Sequence, residues 1–186
     1  MDVLTLLKQD HQTVGKLLDE ALECEPDDER LHGLAKQIED ALTVHATIEE
    51  KYFYPVLKKR AEDSEETVDV FEAYTEHDLI KRLIALLQSG RKPDEQFKAE
   101  VQVLCENVTH HVKEEESTVF SLARKLINRD ELEELGEKMA RAKVRLSRGL
   151  EAGATQSTSR KKSPARKAAP ARKAGSAKKK TATKRR

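Results

Sequence analysis

The sequence predicts an all-α protein: an up-down-up-down four-helix bundle, followed by an extra polar C-terminal helix and a disordered basic tail. In residues 1–151, apolar side chains recur three and four positions apart, which is the spacing of helices with one buried face. Clusters of β-branched residues with the two-residue period of a strand are absent from this range. Short connections between the candidate helices predict that consecutive helices lie antiparallel.

The first two helices are predicted from their apolar stripes and their boundaries. The first extends over about residues 2–24, and its stripe contains Leu4, Leu7, Val14, Leu17, Leu18, Ala21 and Leu22. Asp27 or Asp28 is the expected cap of the second helix, which reaches about Lys59. Pro55 lacks the backbone N–H of a helix interior, so we expect a kink there.

Three further helices follow in the sequence. Asp63, with Glu66 three residues later, has the form of a capping box for the third helix. Pro93 at a first helical position begins the fourth, which continues to about Ile127. A fifth, polar helix completes the helical part of the chain.

The chain divides into a bundle at 1–127, a polar helical extension at 128–151 that ends near Gly149, and a tail at 152–186. The tail carries 13 of the 35 Lys and Arg residues and none of the 34 Asp and Glu residues. The rest of the chain is therefore strongly acidic, although the net charge of the whole is only +1. Because the tail lacks aromatic and large aliphatic side chains, we expect it to be disordered when free.

Composition excludes several classes of protein. No apolar run approaches the length of about 20 residues that crosses a membrane, and the N-terminus has no secretory signal pattern. Cys24 and Cys105 lack the spacing of a zinc or redox motif, so we expect reduced packing residues. We expect a cytoplasmic bacterial protein without a membrane partner, and the tail allows nucleoid association. The sequence does not decide the oligomeric state.

An internal repeat places one histidine on each of the first four helices. The two copies read Asp10-His11 with His45-x-x-x-Glu49-Glu50, and Glu76-His77 with His111-x-x-x-Glu115-Glu116. In both copies the two histidines are 34 residues apart. Four of the six histidines therefore occupy equivalent positions of an antiparallel bundle.

The spacing of the repeat is suited to binding metal ions. Residues four apart share a helix face, so His45 with Glu49 and His111 with Glu115 can each bind one ion. Ionised carboxylates inside a bundle need a positive partner, and no Lys or Arg recurs on the same stripe. Nitrogen and oxygen ligands without a thiolate favour iron, with manganese and zinc as lesser alternatives.

The ordered set of four motifs resembles the hemerythrin-like, HHE cation-binding family over about Asp2 to Ile127. The resemblance implies a four-helix bundle with two non-haem iron ions, bridged by an oxo or hydroxo group and by the carboxylates of the two H-x-x-x-E motifs. It implies six ligands: His11, His45, Glu49, His77, His111 and Glu115.

The sequence departs from the oxygen-carrying members of that family. Ala73 stands where the carriers place a further histidine, one turn before His77, and Glu115 stands at four residues where they have Asp at five. We therefore expect reaction with peroxide, dioxygen or nitric oxide, including catalase-like turnover, and no reversible oxygen storage. Two alternatives stay open: an iron, oxygen or redox sensor, and a structural nucleoid protein. The structural alternative is disfavoured, because a bundle that only carries the tail does not need a histidine on each of four helices.

Aromatic residues near the motifs are candidates for the pocket. Helical spacing turns Tyr74 and Tyr52 toward the metal side, where either could bind an oxygen species, and core packing is the alternative for both. Tyr54 and Phe120 point away on an ideal helix, although Pro55 disturbs that extrapolation for Tyr54. Four polar residues are expected at the surface or behind the ligands: His32, His110, Glu50 and Glu116.

The tail resembles the C-terminal tails of linker histones. Its units Ser163-Pro164-Ala165-Arg166-Lys167 and Ala169-Pro170-Ala171-Arg172-Lys173 alternate cations with small residues and proline. Polycations bind phosphates by releasing counterions and need no base contacts, so we expect non-specific binding of DNA or RNA through 152–186. An acidic protein, a membrane surface, the acidic body of the same chain and no partner at all are the alternatives.

We predict that a protein truncated after Glu151 retains its metal and loses its affinity for duplex DNA, since every candidate ligand precedes residue 116. Binding by the full chain should weaken as salt rises, with a slope near −0.9 per phosphate neutralised. Fluorescence anisotropy over a salt series measures the affinity of each protein for duplex DNA and its dependence on salt. DNA binding by the truncated protein at about 0.15 M salt would show that the bundle itself contacts nucleic acid.

Overall fold

The structure, a computed structural model, describes residues 1–87 and 92–160, with side chains up to residue 152. All regular elements in these ranges are helical, which confirms the predicted fold class. They are α1 Val3–Glu23, α2 Arg30–Ile48, the π-helical turn π1 Glu49–Phe53, α3 Tyr54–Arg60, α4 Ser64–Leu87, α5 Glu95–Glu114, the π-helical turn π2 Glu115–Val119, α6 Phe120–Leu126 and α7 Arg129–Arg160.

Four long helical rods form the bundle. The second rod is α2, π1 and α3 in continuous succession, and the fourth is α5, π2 and α6. α1 packs against α2 and α5, and α4 packs against α2 and α5, so the rods close into a ring. None of the described helices is long and apolar enough to cross a membrane.

Carboxylate caps set the starts of three rods, and the predicted cap Asp63 of α4 accepts a hydrogen bond from Glu66 N at 2.9 Å. The Asp2 side chain accepts a hydrogen bond from Thr5 N at 2.9 Å, and Asp94 accepts one from Phe97 N at 2.7 Å. Asp94 is thus the N-cap of α5, and Pro93 precedes the helix instead of occupying its first position. The physical reason is that a carboxylate satisfies the free N–H groups of a first turn, which Pro93 cannot do.

Two hydrophobic clusters fill the bundle, one on each side of a buried polar layer. One cluster contains Val3, Leu7, Phe53, Val70 and Phe120 among others. The second contains Val14, Leu18, Ile38, Phe97 and Leu104 among others. Along every rod the repeat histidine lies between the residues of these two clusters. The apolar packing therefore encloses the histidines at both ends.

α7 is an integral part of the fold. It packs against α1 and α2 and buries Leu132, Met139 and Ala142. The helix continues to Arg160, so it ends beyond the position near Gly149 that the sequence predicted. Gly149 costs a helix only about 1 kcal/mol relative to alanine, and the three residues directly after it, Leu150, Glu151 and Ala152, favour a helix. The remainder of the predicted tail, 161–186, lies outside the described residues.

We predict that Gly136→Ala destabilises the protein by more than about 1 kcal/mol, because overpacking at this position outweighs the higher helix propensity of alanine. A Cβ atom on Gly136 would lie 2.6 Å from Asp2 C and 2.7 Å from Val3 N, where α7 crosses the start of α1. Gly15→Ala is the matched control, since a Cβ there meets nothing within 4 Å. Urea unfolding of both variants measures the change, and a stabilised Gly136→Ala protein would contradict the close approach.

Candidate metal centre

Six side chains expected as metal ligands converge in the polar layer. Each is at most 5% exposed: His11, His45, Glu49, His77, His111 and Glu115. His11 Nε2 lies 3.1 Å from Glu115 Oε2. His45 Nε2 lies 3.1 Å and His77 Nε2 lies 3.3 Å from Glu49 Oε2. Because one histidine comes from each rod, the antiparallel packing alone brings the four imidazoles together.

The donor atoms form two groups with one member in common. One group is His11, His45, Glu49 and Glu115, and the other is Glu49, His77 and His111. Within each group the donor atoms lie within 4.8 Å of one another. Glu49 therefore faces two neighbouring positions, each of which could hold a cation.

Unpaired polar atoms show that these residues fit a metal. In the described part of the chain, several buried nitrogen and oxygen atoms of these side chains form no hydrogen bond: His11 Nε2, both ring nitrogens of His45, both oxygens of Glu49 and Glu115 Oε2. Burying such atoms without a partner costs free energy, and for an ionised carboxylate the cost is large. Cations with a preference for nitrogen and oxygen ligands would satisfy them, as first-row transition metals do.

A carboxylate lies behind each histidine. Three Nδ1 atoms are within hydrogen-bond distance of a carboxylate oxygen: His11 of Glu116 at 3.0 Å, His77 of Glu50 at 3.0 Å and His111 of Glu76 at 2.8 Å. The fourth pair is looser, with His45 Nδ1 at 3.7 Å from Asp10 Oδ2. Such contacts orient the ring and make the opposite nitrogen a better ligand. Glu50 and Glu116 thus lie behind the ligands, one of the two positions expected for them.

Three of these carboxylates also contact a lysine ammonium group, and the fourth contacts an imidazole. The pairs are Asp10 with Lys143, Glu116 with Lys8 at 3.3 Å, Glu50 with Lys81 at 2.7 Å and Glu76 with His110 at 3.4 Å. Lys143 belongs to α7, so the helix outside the bundle reaches the polar layer through Asp10. His32 is exposed and lies against Phe97, away from the layer.

The electrostatics of the layer favour proton release when a cation binds. Burial opposes the charged form of His11, but the 3.1 Å contact of His11 Nε2 with the Glu115 carboxylate and the negative charge of that group outweigh it and raise the pKa of His11 to about 9. Burial and the charge of Glu115 raise the pKa of Glu49 well above its usual value. Burial lowers the pKa of His45 to about 4. Metal binding must displace the protons held by His11 and Glu49, so metal affinity falls as the pH falls.

Sequence reasoning missed Tyr54. Its side chain is fully buried, and its hydroxyl donates to Glu115 Oε1 at 2.8 Å and lies 3.4 Å from His77 Nε2. The hydroxyl of Tyr74 donates instead to the backbone oxygen of Glu50 at 3.3 Å, and the Tyr52 ring lies 4.9 Å from Lys138 Nζ. Tyr54 therefore occupies the place expected for Tyr52 or Tyr74.

The π-helical turns are the cause of this difference. Each begins at a candidate ligand, Glu49 or Glu115, and the extra residue rotates the following side chains by about 100° around the helix axis. Pro55 next to Tyr54 is a local signal for π1, but Ser121 occupies the equivalent position after π2. A helical wheel with a constant period therefore cannot find Tyr54.

Phe120 is the counterpart of Tyr54 in the second repeat. Its ring stacks on His11, with centroids 5.9 Å apart and an interplanar angle of 13°. The two halves thus share their histidines and carboxylates but differ at this aromatic position. Of these two aromatic residues, Tyr54 has a phenolic hydroxyl, which lies beside His77 and Glu115, and Phe120 has none.

The bundle and its buried layer of histidines and carboxylates define a helical cation-binding protein. The chain belongs to the hemerythrin HHE cation-binding domain family, whose model matches residues 2–123. This confirms the resemblance inferred from the four histidine motifs.

Two related proteins show the range of the similarity. A crystal structure of a hemerythrin HHE cation-binding domain-containing protein from Mycobacterium kansasii has a TM-score of 0.70 and 24% identity, and the match covers 87% of this chain and 94% of that one. The protein is also 28% identical over 155 residues to a DNA nickase of Nostoc sp. (strain PCC 7120 / SAG 25.82 / UTEX 2576). That match covers 83% of this chain and 43% of the relative, so the chain spans less than half of the relative's length.

We predict that His45→Ala combined with His111→Ala abolishes binding of about two metal ions per chain, because it removes one imidazole from each donor group. His32→Ala is the control, since His32 is exposed and lies outside both groups. Metal analysis of iron-supplied protein measures the content, and circular dichroism verifies the helical fold. Normal iron content in the double variant would overturn the ligand assignment.

Proposed function

We propose that this protein is a non-haem di-iron protein that binds or reacts with peroxide, dioxygen or nitric oxide in the bacterial cytoplasm. The donor set supports iron, since it combines imidazole and carboxylate ligands without a thiolate. The shared position of Glu49 supports two ions, because a carboxylate between two groups can contact both. Bound iron would supply redox chemistry for small oxygen or nitrogen species.

A small cavity next to the histidines carries this proposal. It has a volume of about 140 Å³, lies between α2 and α4, and is lined in part by His45, His77 and His111. Its other walls include the apolar residues Leu42, Ala46, Ile80 and Ile84. Since a water molecule takes about 30 Å³ of liquid, the cavity admits only a few molecules of that size. It therefore has room for a diatomic molecule or peroxide beside the histidines.

The cavity meets the donor group with fewer protein ligands. That group is Glu49, His77 and His111, whereas the other group has four members. The hydroxyl of Tyr54 keeps its proton, because burial raises the pKa of Tyr54 well above its usual value. Tyr54 therefore remains a hydrogen-bond donor beside Glu115 and His77.

Ala73 bears on the kind of reaction. It is buried in the hydrophobic cluster one turn before His77, at the position where the oxygen-carrying members of the family have a further histidine. A methyl group there adds no ligand to the centre. We infer consumption of peroxide or reaction with dioxygen or nitric oxide, and not reversible oxygen storage.

We predict that Ala46→Leu slows peroxide consumption by the iron-loaded protein while iron content is unchanged, because the larger side chain fills part of the cavity. Ala85→Leu is the matched control, since Ala85 is exposed on α4 and does not line the cavity. Oxygen release and peroxide loss are followed together with iron content. An iron-loaded wild-type protein that leaves peroxide, dioxygen and nitric oxide unchanged would contradict the proposed function.

Nucleic-acid binding is a second proposed function. The basic tail at 152–186 supports it, as does the similarity to a relative named DNA nickase. Polycationic segments bind duplex phosphates without sequence preference. The acidic body is repelled by phosphate, so the tail would bring the metal centre to DNA and the nucleoid. The truncation after Glu151 described above tests this division of roles.

A further inference from the structure

Helix α4 carries apolar side chains on two opposite faces. Its inner face buries Val70, Ala73, His77, Ile80 and Ile84. On the outer face, four large apolar side chains are exposed: Val68 by 60%, Phe71 by 46%, Leu79 by 46% and Leu86 by 52%. A bundle helix with solvent on its outer side normally presents polar residues there. The outer face of α4 therefore has the composition of a contact surface.

The outer residues follow the spacing of a coiled-coil seam. Val68, Glu72, Thr75, Leu79, Arg82 and Leu86, which we call the outer row, are separated alternately by four and three residues. This 3.5-residue period keeps a seam facing a second helix along its whole length. At about 1.5 Å per residue the row is about 27 Å long.

The outer row is complementary to itself when two copies run antiparallel. A two-fold axis between Thr75 and Leu79 places Val68 opposite Leu86, Thr75 opposite Leu79 and Glu72 opposite Arg82. Each of these three pairs then occurs twice, once on each side of the axis, as a closed two-fold interface requires. In a parallel arrangement Glu72 would face Glu72 and Arg82 would face Arg82, which is unfavourable.

Charge along α4 favours the same direction. The part of the helix before Leu79 contains six acidic residues, namely Glu65, Glu66, Asp69, Glu72, Glu76 and Asp78. The part after it contains the cations Lys81 and Arg82 and no acidic residue. Antiparallel pairing brings the acidic part of one helix to the basic part of the other. At the edge of the row, Lys58 Nζ lies 4.3 Å from the centre of the Phe71 ring.

We propose that the outer row of α4 is a homodimer interface, in which α4 of a second copy packs antiparallel about a two-fold axis. The occupant is a copy of this chain because the row supplies its own apolar and charged complements. The inner face of α4 provides His77 to the candidate metal centre, so the dimer leaves the ligands unobstructed. The interface does not depend on the proposed function.

Charge reversal in the full chain tests the register. Glu72→Arg places cations opposite Arg82 in both charged layers, and Arg82→Glu places acids opposite Glu72. Each single variant should raise the dimer dissociation constant by more than about tenfold, since like charges meet at the seam. An equimolar mixture of the two single variants should form a heterodimer, and the double variant should dimerise as the wild type does.

Sedimentation velocity over a concentration series measures association, and circular dichroism verifies folding. Glu106→Arg is the matched control, because Glu106 is exposed on α5 and absent from the row. A wild-type chain that stays monomeric at about 100 μM would overturn the proposal. So would a dimer that both single variants leave unchanged, or one that neither the mixture nor the double variant restores. A different protein covering the row of a monomeric chain would also overturn it.

Discussion

The burial of two glutamate side chains inside the bundle is the constraint on which the rest of the structure depends. Glu49 and Glu115 lie between two hydrophobic clusters, where an ionised carboxylate without a positive partner is costly. Four histidines, one from each rod, surround them. In turn, carboxylates and cationic side chains surround the histidines. Cations bound between the two glutamates and the four histidines would provide the positive charge that the buried carboxylates need.

The repeated halves of the sequence give this layer a near two-fold arrangement. Glu116 of the second half contacts His11 of the first, and Glu50 of the first contacts His77 of the second. These two carboxylates therefore cross between the halves, whereas Asp10 with His45 and Glu76 with His111 pair within one half. Tyr54 and Phe120 differ between the halves, and α7 adds Lys143 only behind Asp10. These differences make the two cation positions chemically unlike.

α7 connects the polar layer to the outside of the bundle. Lys143 contacts Asp10, whose second oxygen lies 3.7 Å from His45 Nδ1, the longest of the four carboxylate contacts. The same helix leads toward the basic part of the chain. Asp10 is thus shared between α7 and the candidate metal centre. A helix that looks like a polar extension in sequence is in fact packed against α1 and α2.

The sequence by itself determined the bundle and the six candidate ligands, because the repeat spacing and helical period bring His45 and Glu49, or His111 and Glu115, onto one face. Tertiary structure decided what a constant period cannot represent. The π-helical turns rotate Tyr54 inward, and packing against α1 and α2 buries Leu132, Met139 and Ala142 of α7. The pairing of each carboxylate with its histidine also depends on contacts between rods, so the sequence indicates Glu50 and Glu116 as candidates but does not show which histidine each contacts. Local spacing specifies which side chains share a helix face, but packing between helices specifies which atoms meet.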